Sequence, residues 1–124
     1  MIGVLMVRNE SRILKRCIRS LGSSCERVLV IDTGSTDDTV EIAKSWGCAI
    51  RQHEWKDFGH NRSRSFKEAV DLASCCREAE WALVMDADMK LVCDPERLRR
   101  FLDESNDAGL TILQKHGRWS TATF

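Results

Sequence analysis

Three carboxylates stand directly after apolar segments of the sequence. Asp86 and Asp88 are separated by one residue and follow the run 81–85, and Asp32 follows the run 27–31. Both runs have the length and the apolar content of a buried strand. In open α/β sheets, ligands bind beyond the carboxyl ends of the parallel strands. We therefore expect the three carboxylates to share one rim of a sheet.

The spacing of Asp86 and Asp88 suits a hard cation. If the strand ends between them, both carboxylates can turn toward one ion and leave other ligand positions to water and phosphate oxygens. A metal together with a diphosphate fits this pattern, Asp-x-Asp, although ten aspartates in 124 residues predict about one such pattern by chance. A local role is equally compatible with the same residues, because an aspartate also caps turns or pairs with lysine.

Two further segments could contact such a ligand. Asp32 could accept a hydrogen bond from a ring N–H or a sugar hydroxyl. The segment Gly59–Arg62 precedes a predicted helix, and backbone N–H groups at a helix start, together with an arginine, can bind an anion. A plainly capped helix with a solvated arginine explains this segment equally well. For Thr36 and Asp37, in the turn after Asp32, helix capping is the favoured interpretation.

The elements that must position these residues alternate along the chain. Apolar runs predict strands at 2–7, 27–31, 48–52 and 81–85. Apolar residues at helical spacing predict helices within 11–21 and 40–46 and a third helix after residues 59–62. The third helix has a predicted apolar stripe of Phe66, Ala69, Val70 and Ala73. This alternation is typical of a mostly parallel sheet with helices on both faces.

The pattern changes after Met89. Asp94 and Pro95 predict the start of a helix through Leu102, with Leu98, Phe101 and Leu102 facing inward. Two strands, 110–114 and 119–124, are predicted to form a hairpin that turns at His116 and Gly117.

Composition excludes several classes of protein. The 124 residues form one predicted domain, and 19 Lys and Arg balance 19 Asp and Glu, so nothing electrostatic favours a nucleic-acid partner. No apolar stretch approaches the roughly 20 residues of a membrane span, and the apolar start lacks the features of a secretion signal, so we expect a cytoplasmic protein. The six cysteines are interpreted as reduced residues of the core.

The order of four segments resembles the nucleotide-sugar-binding half of family 2 glycosyltransferases with the GT-A fold. The segments are VRNESRILKRCIRSL, VLVIDTGSTDDTVEIA, DFGHNRSRSFKEA and WALVMDADM. The resemblance covers about residues 2–90, and it is closest to a cytoplasmic branch that glycosylates lipopolysaccharide or protein. It implies a truncated α/β fold of the GT-A (Rossmann-like) type, a three-layer α/β/α arrangement with a mostly parallel sheet. Residues 1–90 would form the donor-binding core, and residues 91–124 would form a helix and a C-terminal β-hairpin.

The same resemblance assigns roles to individual residues. Asp32 would contact the nucleobase, Asp86 the ribose side of the donor, and Asp88 the Mn²⁺ or Mg²⁺ ion that bridges the phosphates, with Asp86 beside it as a second metal ligand. The remaining residues of the nucleotide-sugar site would be Val7, Arg8 and Asn9 along the nucleobase pocket, and Gly59 and Arg62 near the diphosphate. Many relatives carry an aromatic residue at the position of Arg8, so this arginine could instead pair with phosphate.

The implied reaction is an inverting transfer of a sugar from a UDP- or GDP-type donor to an acceptor hydroxyl, with the metal as Lewis acid. The acceptor would be a saccharide, a lipid or a protein. The reaction also needs a carboxylate base, and no residue of this chain is identified as one. Gln114, Arg118 and Trp119 do not have the spacing of the family's Gln-x-x-Arg-Trp motif. The alternative is a noncatalytic nucleotide-diphosphate-sugar-binding or assembly module, and an incomplete sheet predicts a homo-oligomer or a second chain that completes the fold.

Overall fold

The computed structural model describes residues 1–75 and 80–110, together with the backbone of two short strands near the C-terminus. Strands and helices alternate through most of this length. In chain order the elements are β1 (Ile2–Val7), α1 (Leu14–Leu21), β2 (Arg27–Asp32), α2 (Thr39–Ser45), β3 (Ala49–Gln52), α3 (Phe58–Cys75), β4 (Ala82–Asp86), α4 (Pro95–Glu104), β5 (Gln114–His116) and β6 (Trp119–Thr121).

The first four strands form one parallel sheet in the order β3-β2-β1-β4. The two central strands, β1 and β2, are almost entirely buried, which is why their sequences read as continuous apolar runs. The predicted parallel sheet is therefore confirmed. In its register Val7 lies beside Asp32, and Met6 lies beside Asp86.

Side chains on the two faces of the sheet belong to two separate clusters. On one face, Leu5, Val7 and Val30 belong to a cluster with buried residues of α1 and α2. On the other face, Val4 and Ile31 belong to a cluster with Ala69 and Leu72 of α3. Helices thus cover both faces of the sheet, and the predicted three-layer α/β/α arrangement is confirmed. Gly3 permits the close approach of α1, since a Cβ at this position would lie 3.0 Å from Leu21 Cδ1.

The predicted apolar stripe of α3 is wrong in two of its four positions. Phe66 and Val70 are exposed, whereas Asn61, Ser65, Ala69 and Leu72 form the buried face. Small and polar residues can face the sheet here because the Asn61 amide and the Ser65 hydroxyl hydrogen-bond to backbone groups. On α4, Leu98 and Leu102 are half-buried as predicted, but Phe101 is exposed.

Two paired strands are present in the region of the predicted C-terminal hairpin. β5 and β6 pair antiparallel, with His116 beside Trp119. His116 therefore belongs to a strand and not to the turn. Much of the predicted strands 110–114 and 119–124 lies outside the described residues. Among the helices that are described, none is long and apolar enough to cross a membrane.

The five described cysteines are free, but they do not all belong to the core. Cys17 and Cys25 are buried and Cys48 is half-buried, whereas Cys75 and Cys93 are exposed. Burial raises the pKa of each of Cys17, Cys25 and Cys48 from 9.0 to about 11. The interpretation of the cysteines as core residues is thus wrong for Cys75 and Cys93.

The difference between buried and exposed cysteines predicts the order in which they are alkylated in the native protein. Iodoacetamide reacts with the thiolate, and a pKa raised from 9.0 to about 11 lowers the thiolate fraction about 100-fold at pH 8. We expect Cys75 and Cys93 to be labelled first, and Cys17 only after unfolding. Peptide mapping by mass spectrometry over time measures both rates. Equal labelling of Cys17 and Cys93 without denaturant would contradict the prediction.

Candidate functional site

The carboxyl ends of the parallel strands bring the predicted site residues to one rim. Asp32 ends β2 and Asp86 ends β4, and these strands flank β1 on its two sides. Two interstrand spacings separate their backbones, a distance of about 10 Å. Arg8 follows β1 at the same rim, and the connection from β3 leads there to the start of α3. The predicted sharing of one rim is confirmed.

Asp86 and Asp88 lie on a tight turn that directs both carboxylates outward. The turn is closed by a hydrogen bond from the Met89 N–H to the Asp86 carbonyl, at 3.0 Å. Ala87, between them, is buried in the cluster with α1, while Asp86 and Asp88 are exposed. The small apolar residue therefore anchors the turn, and its two acidic neighbours are presented to solvent.

Helix α1 supports this turn from below. Arg16 Nη2 donates to the Asp88 carbonyl at 2.6 Å, and the Cys17 thiol lies 3.6 Å from the Asp86 carbonyl. Burial is the main reason that the pKa of Cys17 rises to about 11; the nearby Arg16 opposes this rise, and Asp88 and Asp86 add to it. Both contacts from α1 use main-chain oxygens. Within the described residues, neither carboxylate takes part in a hydrogen bond or ion pair, so both remain available to a ligand.

The carboxylates of Asp86 and Asp88 fit a cation that is also coordinated by the phosphates of a bound substrate. In the part of the chain that the structure describes, no three His, Cys, Asp or Glu side chains converge on one point. A structural zinc centre, which needs four protein ligands, does not fit that arrangement. Mg²⁺ and similar hard cations are held by one or two carboxylates together with substrate phosphates, and the oxygen donors of Asp86 and Asp88 suit this mode.

Asp32 differs from the other two aspartates because its carboxylate is enclosed. Its residue is 1% exposed, and its oxygens accept from Ser35 N at 3.1 and 3.3 Å, from Gly34 N at 3.4 Å and from Gln52 Nε2 at 3.4 Å. Gly34 has φ +103°, a conformation that glycine adopts without strain. Asp32 therefore shapes the turn after β2, and its enclosed carboxylate already has donors from Gly34, Ser35 and Gln52.

The pleat of the sheet also separates Asp32 from Asp86. Asp32 pairs with Val7, on the face that packs against α1 and α2. Asp86 pairs with Met6, one position earlier, and therefore belongs to the face of α3. Because successive residues of a strand point to opposite faces, the two aspartates share a rim but point to opposite sides of the sheet.

The loops after β1 and β2 are tied together through Asn9. This residue has φ 56°, a left-handed conformation that asparagine tolerates better than most residues. Its N–H donates to Ser35 Oγ at 2.9 Å, and its Oδ1 accepts from Thr36 N at 2.7 Å. Val7 is buried, and its carbonyl accepts from both the N–H and the hydroxyl of Thr33. Asn9 and Val7 thus hold the rim together, while Arg8 between them is exposed.

Asp37 strengthens the same connection, which its interpretation as a simple cap did not include. Its carboxylate accepts from Thr39 N at 3.0 Å, from the Thr39 hydroxyl, and from Ser11 N at 3.2 Å in the loop after β1. Hydrogen bonds from Thr39, and next from Ser11, lower the pKa of Asp37 from 3.8 to about 2. The side chain therefore acts as a charged link between two loops of the rim.

The lowered pKa of Asp37 predicts how stability responds to acid. A depressed pKa in the folded state gives stability that is complete above the unfolded value near 3.8 and is lost as the pH falls toward about 2. We expect Asp37→Asn to be less stable at pH 7 and to depend less on pH between about 4 and 2. Thermal unfolding across this range measures the effect. Asp38→Asn is the control, because Asp38 makes no side-chain cap hydrogen bond. The same slope in Asp37→Asn and the unsubstituted chain would contradict the assignment.

The start of α3 is occupied by groups of the chain itself. The Asp57 carboxylate accepts from His60 N at 2.8 Å, so an anion at this helix start would meet a carboxylate. Buried Asn61 accepts from Lys56 N and donates to the Glu54 carbonyl, which fixes the preceding loop. The signal for this cap in the sequence is weak: an aspartate, Asp57, directly before the first residue of α3. The interpretation of Gly59–Arg62 as an anion site did not include the hydrogen bonds of the Asp57 and Asn61 side chains.

Arg62 lies on the first turn of α3 with its side chain over an aromatic ring. Its guanidinium carbon is 4.9 Å from the centre of the Phe58 ring. Within the described residues, Arg62 and Arg8 form no hydrogen bond or ion pair. Stacking leaves the guanidinium edge free to donate, so these two arginines are the cations of the rim that could meet a diphosphate.

The chain is similar in sequence to known glycosyltransferases. The family model described as "Glycosyl transferase family 2" matches residues 4–117. An uncharacterized glycosyltransferase of Rickettsia prowazekii is 36% identical over 87 residues, which are 70% of this chain and 27% of that protein. The prophage-derived glycosyltransferase SunS of Bacillus subtilis is 33% identical over 87 residues, which are 68% of this chain and 19% of that protein.

Solved structures show the same fold. Staphylococcus aureus TarS 1-349 superimposes with a TM-score of 0.59 at 19% identity, over 82% of this chain and 31% of that one. A Mycobacterium tuberculosis glucosyl-3-phosphoglycerate synthase in complex with uridine-diphosphate gives a TM-score of 0.50 at 21% identity, over 71% and 33% of the two chains. The fold is therefore of the GT-A type. With the family model matching most of its length, the chain belongs to glycosyltransferase family 2. It spans about a fifth to a quarter of the length of the two curated relatives.

Proposed function

We propose that this chain binds a nucleoside-diphosphate sugar of the UDP or GDP type at the carboxyl rim of its sheet, with a divalent cation at Asp88 and Asp86. The observation that carries the proposal is the turn 86–89, whose two carboxylates are exposed, unpaired within the described residues and supported from below by α1. The membership of family 2 supports the same ligand class.

Different residues of the rim would bind different parts of the nucleotide-sugar donor. Asp88 would hold the cation, and Asp86 would complete the metal site or face the ribose. Arg8 and Arg62 are unpaired guanidinium groups suited to the diphosphate, with Gly59 next to Arg62 on α3. Asn9 and Val7 would contribute indirectly, because their hydrogen bonds hold the loops after β1 and β2 together. A nucleobase contact by Asp32 stays a prediction, and the nucleobase would compete with the donors that Asp32 already has, among them Gln52 and Gly34.

The proposed reaction is an inverting transfer of the sugar. The acceptor hydroxyl oxygen forms a bond to the anomeric carbon from the face opposite the diphosphate. The bond from that carbon to the phosphate oxygen breaks, and the diphosphate leaves with the electron pair. Mn²⁺ or Mg²⁺, when bound, supplies positive charge that stabilises this leaving group. The hydroxyl proton passes to a base that this chain has not been shown to contain, so a noncatalytic donor-binding module remains the second candidate function.

Three further expectations belong to this proposal. Residues 1–90 would form the donor-binding core, and 91–124 would form a separate helix-and-hairpin region. The chain would act in the cytoplasm. A second copy or another chain would complete the sheet, since its outer strands β3 and β4 each have one neighbour among the described strands. Light scattering that shows a strict monomer at high concentration would contradict association between copies.

Calorimetric titration with UDP and with GDP, each with and without Mn²⁺, tests the donor site. We expect binding of one nucleotide that depends on the metal. Binding of neither nucleotide in the presence of Mn²⁺ or Mg²⁺ would contradict the proposal. Release of free nucleoside diphosphate from a panel of nucleotide sugars, with and without acceptors, then separates the two functions. Metal-dependent binding without any release would favour the noncatalytic module.

A further inference from the structure

The outer side of α1 forms a basic groove with the segment that follows the Asp86–Met89 turn. This α1 groove has a volume of about 750 Å³. Its charged lining residues are all cationic: Arg12, Lys15, Arg16, Arg19 and Lys90. The chain as a whole has a formal net charge of zero, so the groove is a local concentration of positive charge and does not reflect a generally basic protein.

The cations of the α1 groove do not all converge on one point: Lys15 and Arg19 lie at the Trp46 ring, and Arg16 reaches the Asp86–Met89 turn. Lys15 and Arg19 are one helical turn apart, about 6 Å along the axis, and both lie over the Trp46 ring at 5.8 and 5.9 Å. Arg16 reaches in the other direction, to the Asp88 carbonyl. A single phosphate would require converging donors, whereas this spacing matches an extended surface that carries many separate anions.

Exposed apolar side chains flank the cations on both sides. Trp46, at the end of α2, is 39% exposed, and Val92, in the groove wall, is 82% exposed. A soluble polyanion offers nothing apolar to these residues. The surface of an anionic bilayer offers both charge and an apolar boundary, and tryptophan with lysine and arginine is the composition that prefers this boundary.

We propose that the α1 groove docks on a membrane surface that contains anionic phospholipids. The docking is peripheral, with cations against the headgroups and with Trp46 and Val92 at the level of the interface. The proposal goes beyond the donor site and does not depend on it, since its evidence lies on α1, the end of α2 and the segment 90–93.

Sedimentation with vesicles tests the proposal without any sugar nucleotide. We expect the 124-residue chain to bind vesicles of phosphatidylcholine and phosphatidylglycerol at low salt, to bind pure phosphatidylcholine far more weakly, and to dissociate at high salt because the charges are exposed. Each basic side chain near an anionic surface raises binding roughly five-fold, so Arg12→Gln with Lys15→Gln should lower it roughly 25-fold. Neither side chain forms a hydrogen bond or ion pair with the described residues, so the fold should be unchanged by circular dichroism.

Arg64→Gln with Lys67→Gln is the matched control, because it removes the same charge from exposed positions of α3, which packs on the opposite face of the sheet. We expect this control to change vesicle binding by less than about two-fold. Three results would overturn the proposal: no binding to the mixed vesicles at low salt, an equal loss in both double variants, or binding of soluble polyphosphate without binding of vesicles.

Discussion

Replacing Asp88 by asparagine is expected to lower the affinity for UDP or GDP in the presence of Mn²⁺ by about 100-fold, or about 2.7 kcal/mol. Asparagine keeps the size of the side chain but removes the negative charge that would hold the cation. Thermal stability should be unchanged, because the turn is supported through the main-chain oxygen of Asp88 and not through its carboxylate. Titration calorimetry with and without Mn²⁺ measures the affinity.

Asp71→Asn is the control for this variant. Asp71 is an exposed aspartate of α3, and its side chain has no hydrogen bond or ion pair within the described residues. The Asp71→Asn variant should bind nucleotide with the affinity of the unsubstituted chain. Asp86→Asn should also weaken binding, since its carboxylate is exposed on the same turn. Metal-dependent binding that survives in Asp88→Asn would mean that the cation lies elsewhere, and the proposed ligand role would be wrong.

The substitution Leu5→Ala is expected to lower the free energy of unfolding by about 3–5 kcal/mol. Leu5 is fully buried at the centre of the sheet, where β1 has neighbours on both sides, Val30 and Met85. Three carbon atoms, Cγ and the two Cδ methyl groups, are lost from a site where packing against α1 and two strands limits collapse of the cavity. Such a loss is a large fraction of the 5–15 kcal/mol that stabilises a typical domain.

Urea denaturation followed by circular dichroism measures this loss. Val92→Ala is the control, because Val92 is exposed in the segment after β4, and its change should stay within about 0.5 kcal/mol. Ile31→Val gives a milder test if Leu5→Ala is largely unfolded, with an expected cost of about 0.5–1.5 kcal/mol. A cost below about 1 kcal/mol for Leu5→Ala would contradict the central position of β1 in the core.

Much of the fold could be predicted because burial on both faces leaves a simple record in the sequence. The runs 2–7 and 27–31 are apolar throughout, and they became the two central strands. The helix α3 could not be predicted as well. Its buried face contains Asn61 and Ser65, whose suitability depends on backbone partners that become adjacent only in the folded chain. Phe66 is apolar and was therefore predicted to be buried, but it lies on the exposed face of α3.

The sequence by itself determined that Asp32, Asp86 and Asp88 lie at one rim, because each follows a buried parallel strand and such strands end on the same side of a sheet. Only the tertiary structure decided which of them is open to a ligand. Asp32 pairs with Val7 and Asp86 with Met6, so the two aspartates point to opposite faces of the sheet. The amides of Gly34 and Ser35 donate to the Asp32 carboxylate alone. Accessibility of a carboxylate depends on pairing register and on neighbours distant in sequence, and a linear pattern of residue types specifies neither.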